Sequence, residues 1–122
     1  MGSYILVVDD DEVLGRVLCR VLSRAGHEAE LADSVGQALR LARAQAPRVV
    51  LLDLCLPDGD GLELARQLRL LAPDAQLVLI TAFPLRLRDH PELATNFVRV
   101  LTKPLDVAEL RQVVDTCLAT CS

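Results

Sequence analysis

The chain has 122 residues, of which 52% are hydrophobic but only 2% aromatic, with no Trp, and its formal net charge is −4. That length suits one domain with a single core, here built from Leu, Val, Ile and Ala. The acidic balance gives no global basic surface for nucleic acid, and no apolar run approaches the ~18–20 residues of a membrane-spanning helix.

Met1-Gly2 opens like a myristoylation signal, but Leu6 stands where Ser or Thr is required. No basic region leads into an apolar segment and cleavage site, so the cytoplasm is the expected compartment. Tyr4-Ile5-Leu6-Val7-Val8 is a short β-rich run ending in Asp9-Asp10-Asp11-Glu12. Val13, Leu14, Val17, Leu18, Val21, Leu22 and Ala25 then repeat at three and four, which predicts a helix closed by Gly26. Asp11 and Glu12 suit the positive end of that helix. Four consecutive acids repel one another, however, and a cation nearby would relieve them.

Glu28–Ala32 reads as a weaker strand near a sheet edge. Asp33 or Ser34 can cap the next helix, whose stripe is Val35, Ala38, Leu39 and Ala42. Val49–Asp53, between Pro47 and the turn Pro57-Asp58-Gly59-Asp60-Gly61, reads as a strand buried on both faces. Asp58 and Asp60 are expected to be turn formers. Leu62, Leu64, Ala65, Leu68 and Leu71 describe a third helix, and Leu77–Ile80 a fourth strand closing on Thr81.

Residues 82–96 are the least regular, with Pro84 and Pro91, and at best a short helix from Pro91. Arg86, Arg88 and His90 read as a solvated face, and His27 as exposed. Phe97–Leu101 is a fifth strand running into Thr102-Lys103-Pro104. Asp106 caps a last helix with Val107, Leu110, Val113, Val114, Cys117 and Leu118 inward. Cys19, Cys55, Cys117 and Cys121 form no Cys-x-x-Cys pair and lack the partners of a zinc site, so reduced thiols are expected.

Strand and helix alternate five times, which calls for a parallel sheet with helices on both faces. A doubly wound, flavodoxin-like sheet of order 2-1-3-4-5 puts the first and third strands side by side at the switch point. Asp9, Asp10 and Asp53 would then share one crevice. Three carboxylates there repel unless a hard cation joins them, and oxygen ligands with room for water favour Mg²⁺. Thr81 offers a hydroxyl and Lys103 an ammonium, both suited to phosphoryl oxygens. The chemistry that fits is phosphoryl transfer to a carboxylate.

From Ile5 to Leu118 the chain resembles a receiver domain of two-component signalling, the response regulator module. The matching pieces are Leu6-Val7-Val8-Asp9-Asp10-Asp11-Glu12, Leu52-Asp53-Leu54-Cys55-Leu56-Pro57 with Asp60-Gly61, Ile80-Thr81-Ala82, and Lys103-Pro104. The resemblance implies that Asp53 is phosphorylated by a histidine kinase or histidine phosphotransfer protein, with Thr81 and Lys103 holding the phosphoryl group. It implies that Asp10, Asp53 and the backbone carbonyl of Cys55 ligate Mg²⁺, with Asp9 acting through water, and that Lys103-Pro104 is cis. The domain would catalyse only its own phosphorylation and dephosphorylation, and would signal to an output domain or partner protein, a homodimer formed on phosphorylation included. Residues 1–122 are then one receiver domain, whole or excised from a longer regulator or hybrid kinase.

The chain departs from the family where Val100 stands in place of the usual Tyr or Phe, and where Thr95-Asn96 replaces the usual Gly-Ala. Phosphorylation is expected with a non-standard output. Cys55 and Phe83, two beyond Asp53 and Thr81, lie where the family tunes hydrolysis, and a bulky Phe83 predicts a long-lived phosphoaspartate. Three other functions compete. A phosphatase of the haloacid dehalogenase type would carry a second Asp where Cys55 stands. A nucleotide or flavin module would want a glycine- or hydroxyl-rich loop where the four acids are. A pseudo-receiver would act as a phosphorylation-independent interaction module.

Overall fold

The computed structural model describes residues 4–82 and 97–120. The expectations placed on Met1-Gly2, on Phe83 to Asn96 and on Cys121 fall outside those residues. Five strands, β1 (Tyr4–Val8), β2 (Glu28–Ala32), β3 (Val49–Asp53), β4 (Gln76–Thr81) and β5 (Arg99–Thr102), form one parallel sheet in the order β2-β1-β3-β4-β5. Four helices accompany them: α1 (Glu12–Arg24), α2 (Val35–Ala44), α3 (Gly61–Leu71) and α4 (Val107–Thr120). This is the flavodoxin-like order expected from the alternation of apolar runs.

The sheet divides the core into two layers. Leu6, Val8, Val50, Leu52, Leu77 and Leu79 face α2 and α3, where Ala38, Ala42, Leu64 and Leu68 meet them. Ile5, Val7, Val49, Leu51, Val78 and Ile80 face the other way, onto Leu18 and Leu22 of α1 and Leu110, Val113 and Val114 of α4. Every residue of β1 and β3 is buried. A strand covered on both faces has no polar alternation to keep, which explains why these two read as continuous apolar runs.

Several helical positions differ from the sequence pattern. Val13 and Val17 belong to the α1 stripe by spacing but are 75% and 47% exposed. The buried line of α1 runs through Gly15, Leu18 and Leu22 instead. Gly15 explains the rotation: a Cβ there would stand 2.5 Å from Leu31 Cδ1, so the missing side chain lets α1 lie close against β2. Val107, expected inward, is likewise exposed at the start of α4. β5 begins at Arg99, two residues later than expected, although Phe97 is still buried in the α2–α3 layer. Gly26 takes the left-handed conformation past α1, at φ 93°. His27 is half-buried, with Nε2 3.3 Å from Asp115 Oδ1, rather than exposed.

Candidate functional site

The parallel ladders carry four strand ends to one edge of the sheet. Val8 pairs with Leu52, so Asp9 and Asp53 follow paired residues on adjacent strands. The Asp9 amide donates to the Ala32 carbonyl at 3.0 Å, which fixes it as a continuation of the β1–β2 ladder. Asp53 pairs with Ile80, and Thr81 is the next residue of β4. The Lys103 amide donates to the Thr81 carbonyl at 2.9 Å, extending the β4–β5 ladder to the lysine. The Lys103-Pro104 peptide is cis, as expected.

Asp9, Asp53 and Thr81 are buried, while Asp10 is exposed. The Lys103 ammonium donates to Asp53 Oδ2 at 2.9 Å and to Asp9 Oδ2 at 3.2 Å. Asp9 Oδ1 also accepts from the Asp11 amide at 2.9 Å, so both of its oxygens are engaged. One oxygen from each of Asp9, Asp10 and Asp53 lies within 4.8 Å of the others. The sequence thus placed three carboxylates in one crevice, and the fold brings them together.

Burial pushes the Asp9 carboxyl above its ordinary pKa, and the Asp53 charge adds to this; the Asp11 amide and Lys103 oppose without cancelling it. Burial would depress the Lys103 ammonium, but its bond to Asp53 and the charges of Asp9 and Asp53 outweigh that, and its pKa is raised. Three carboxylates against one ammonium leave two negative charges in the ionised crevice. Hard oxygen donors with that residual charge fit a divalent cation, so the donor set passes the test of its chemistry.

The neighbouring acids are spent on structure. Asp11 caps α1 by accepting from the Leu14 amide at 3.1 Å, and Glu12 pairs with Arg16 one turn on. Asp60 caps α3 through the Leu62 amide at 2.9 Å. Between β3 and α3 the chain forms a two-residue antiparallel ladder, Cys55 opposite Asp60 and Leu56 opposite Gly59. Asp58, at its tip, does more than form a turn: Oδ1 accepts from the Val35 amide at 2.8 Å and Oδ2 from the Gly36 amide at 3.2 Å. A signal for this was present in the sequence. α1, α3 and α4 carry Glu12, Glu63 and Glu109 in their first turns, whereas α2 carries no acid there.

The family model described as response regulator receiver domain matches residues 5–115. The photosynthetic apparatus regulatory protein RegA of Rhodovulum sulfidophilum is 32% identical over 106 residues, covering 87% of this chain and 58% of that protein. The chain therefore spans little more than half of that relative's length. A CheY-like receiver domain structure from Methanospirillum hungatei superimposes with a TM-score of 0.90 at 24% identity, over 99% of this chain and 97% of that one, a likeness of fold. A response regulator from Burkholderia pseudomallei, described with a phosphorylated aspartic acid, calcium ion and citrate, gives a TM-score of 0.81 at 30% identity over 88% of this chain and 64% of that one.

Proposed function

The chain belongs to the response regulator receiver domain family, and from that premise we propose that Asp53 accepts a phosphoryl group from a phosphohistidine on a kinase or phosphotransfer protein. The observation that carries this reading is the Lys103 ammonium held on both Asp53 and Asp9, with Asp10 beside them. A strand-end carboxylate oriented by a lysine is a placed nucleophile rather than a turn residue. The Burkholderia relative, described with a phosphorylated aspartic acid, gives the reading a precedent within the fold.

An Asp53 oxygen attacks phosphorus in line with the departing imidazole nitrogen; the O–P bond forms as the N–P bond breaks, and the imidazole takes up a proton. Lys103 orients the Asp53 carboxylate beforehand and pairs with phosphoryl oxygens afterwards. Thr81, buried on the adjacent strand end, donates its hydroxyl to the same group. Asp10, Asp53 and the Cys55 carbonyl would hold Mg²⁺, and Asp9 would act through water. When bound, the ion supplies neutralisation of the charge on the phosphoryl oxygens. Asp9 also holds Lys103 in place by its own hydrogen bond.

Residues 1–122 act in this reading as one receiver domain on the cytoplasmic side. They catalyse only their own phosphorylation and dephosphorylation, and an output domain or partner protein reads the result. Incubation with Mg²⁺ and a small phosphodonor, followed by intact mass, tests the chemistry. The expected result is a gain of one phosphoryl group, absent in Asp53→Ala. A wild-type chain that folds and stays unmodified would overturn it in favour of a pseudo-receiver.

A further inference from the structure

The loop from Leu54 to Asp60 must be held still if the Cys55 carbonyl is to serve as a ligand. Its internal ladder is only two residue pairs long, and a lone hairpin of that size is marginal. At its base it is fastened well. The Gly61 amide donates to the Leu54 carbonyl at 3.2 Å, and a Cβ on Gly61 would stand 2.7 Å from Leu54 Cα, so the chain passes itself at backbone contact. Asp60 adds its cap on α3.

The tip is fastened to a different element. Asp58 spreads its two oxygens over the Val35 and Gly36 amides, from 23 and 22 residues away. Ser34 Oγ takes the next amide, that of Gln37, at 3.2 Å. Three consecutive donors that open α2 are thus shared between a local cap and a distant one. The two N–H groups hold the Asp58 carboxyl below its ordinary pKa, consistent with a tie made by the charged form. Gly59 rests against Val35, where a Cβ would lie 3.1 Å from Val35 Cγ2.

We propose that Asp58 is a positioning residue of the cation site: by pinning the loop tip to the start of α2, it holds the Cys55 carbonyl where a divalent cation meets Asp10 and Asp53. This rests on the reading of the Cys55 carbonyl as a ligand. Linkage makes the effect reciprocal, so cation binding tightens the first turn of α2 by the same factor that Asp58 tightens cation binding.

The test titrates Mg²⁺ into ¹⁵N-labelled protein, following amide shifts beside Asp10 and Asp53, and measures hydrogen exchange at Val35 and Gly36. Asp58→Ala is expected to weaken Mg²⁺ about five-fold, at the lower end of coupling between sites. Asp58→Asn, with one acceptor oxygen left, recovers part of the loss. Mg²⁺ slows exchange at Val35 and Gly36 in the wild type and not in Asp58→Ala. Ser34→Ala removes the local cap without touching the loop, so it lowers thermal stability and leaves Mg²⁺ affinity unchanged. Equal Mg²⁺ affinity in Asp58→Ala and wild type overturns the proposal, as does an equal loss in Ser34→Ala, which would reduce the effect to α2 stability. A wild type without Mg²⁺ binding overturns this proposal and the metal reading together. Normal Mg²⁺ binding without phosphorylation overturns the phosphoacceptor reading alone.

Discussion

Strands β3 and β5 each deliver one group to the same crevice, yet from opposite surroundings. β3 is central, paired with β1 on one side and β4 on the other, and all its residues are buried up to and including Asp53. Among the described residues β5 pairs with β4 alone, and of its four residues only Leu101 is buried. Asp53 therefore ends a strand that burial and pairing on both sides make rigid, as they do β1, while Lys103 follows the most exposed strand of the sheet. Under the phosphoacceptor reading proposed above, Lys103 reaches carboxylates before transfer and phosphoryl oxygens after it, and an exposed base strand suits that. On that reading, accepting the group and passing the event on would be tasks of different strands.

That contrast breaks first if the centre is not close-packed. Leu51 is fully buried, in the layer facing α1 and α4. Leu51→Ala is expected to cost about 3 kcal/mol, through lost transfer energy and the cavity left behind. Urea denaturation measures it. A loss under about 1 kcal/mol would mean that the layer collapses around the gap, and β3 would lose its claim to rigidity.

Lys103→Met probes the joint between the regions. It strands Asp9, which is 1% exposed, without its ammonium. Breaking a buried pair costs about 3–5 kcal/mol, and the partial exposure of Lys103 brings the expectation down to about 2 kcal/mol at neutral pH. The pH dependence follows from the two raised pKa values. Lys103 contributes stability that is complete below the ordinary lysine pKa and is lost only as pH climbs through its higher folded value. Asp9 favours its protonated form in the fold, so stability falls as pH rises from the ordinary Asp value through the raised one. In Lys103→Met the alkaline loss disappears and the Asp9 fall deepens. Denaturation midpoints across pH decide it. Mg²⁺ should return part of the lost stability, and an unchanged pH profile would mean that the ammonium does not engage Asp9 in solution.

Much of this was legible before folding. Strands buried on both faces are written as apolar runs, and a carboxylate at the end of such a run stands out. Asp9, Asp53, Thr81 and Lys103 were visible for that reason, and their convergence followed from the strand order. Helix faces were less legible. A 3.6-residue period fixes that a stripe exists, not which border meets the sheet, and Gly15 turned α1 so that Val13 and Val17 face out. Asp58 was hidden for another reason. Its partners are on α2, and no local pattern in the loop around Asp58 records a bond across 23 residues. The clue lay in α2 itself, the one described helix whose first turn lacks an acid.

The smallest expected effect is the most pointed test of the contrast. Val100 is 37% exposed and pairs with Leu79 in the β4–β5 register. Val100→Ala removes two methyl groups from a surface position, so stability should stay within about 0.5 kcal/mol of the wild type. The extent of phosphorylation should not change, because none of the groups that orient Asp53 moves. Urea midpoints and intact mass after phosphodonor treatment read the two quantities. If stability fell by more than about 1.5 kcal/mol, Val100 would be a packed position, and β5 would belong to the rigid centre. If instead stability held but phosphorylation dropped, the edge strand would feed back on Lys103, the residue that follows the sheet pair Thr81–Thr102. Acceptance and transmission would then share β5, and the exposure of its side chains would no longer mark a boundary between them.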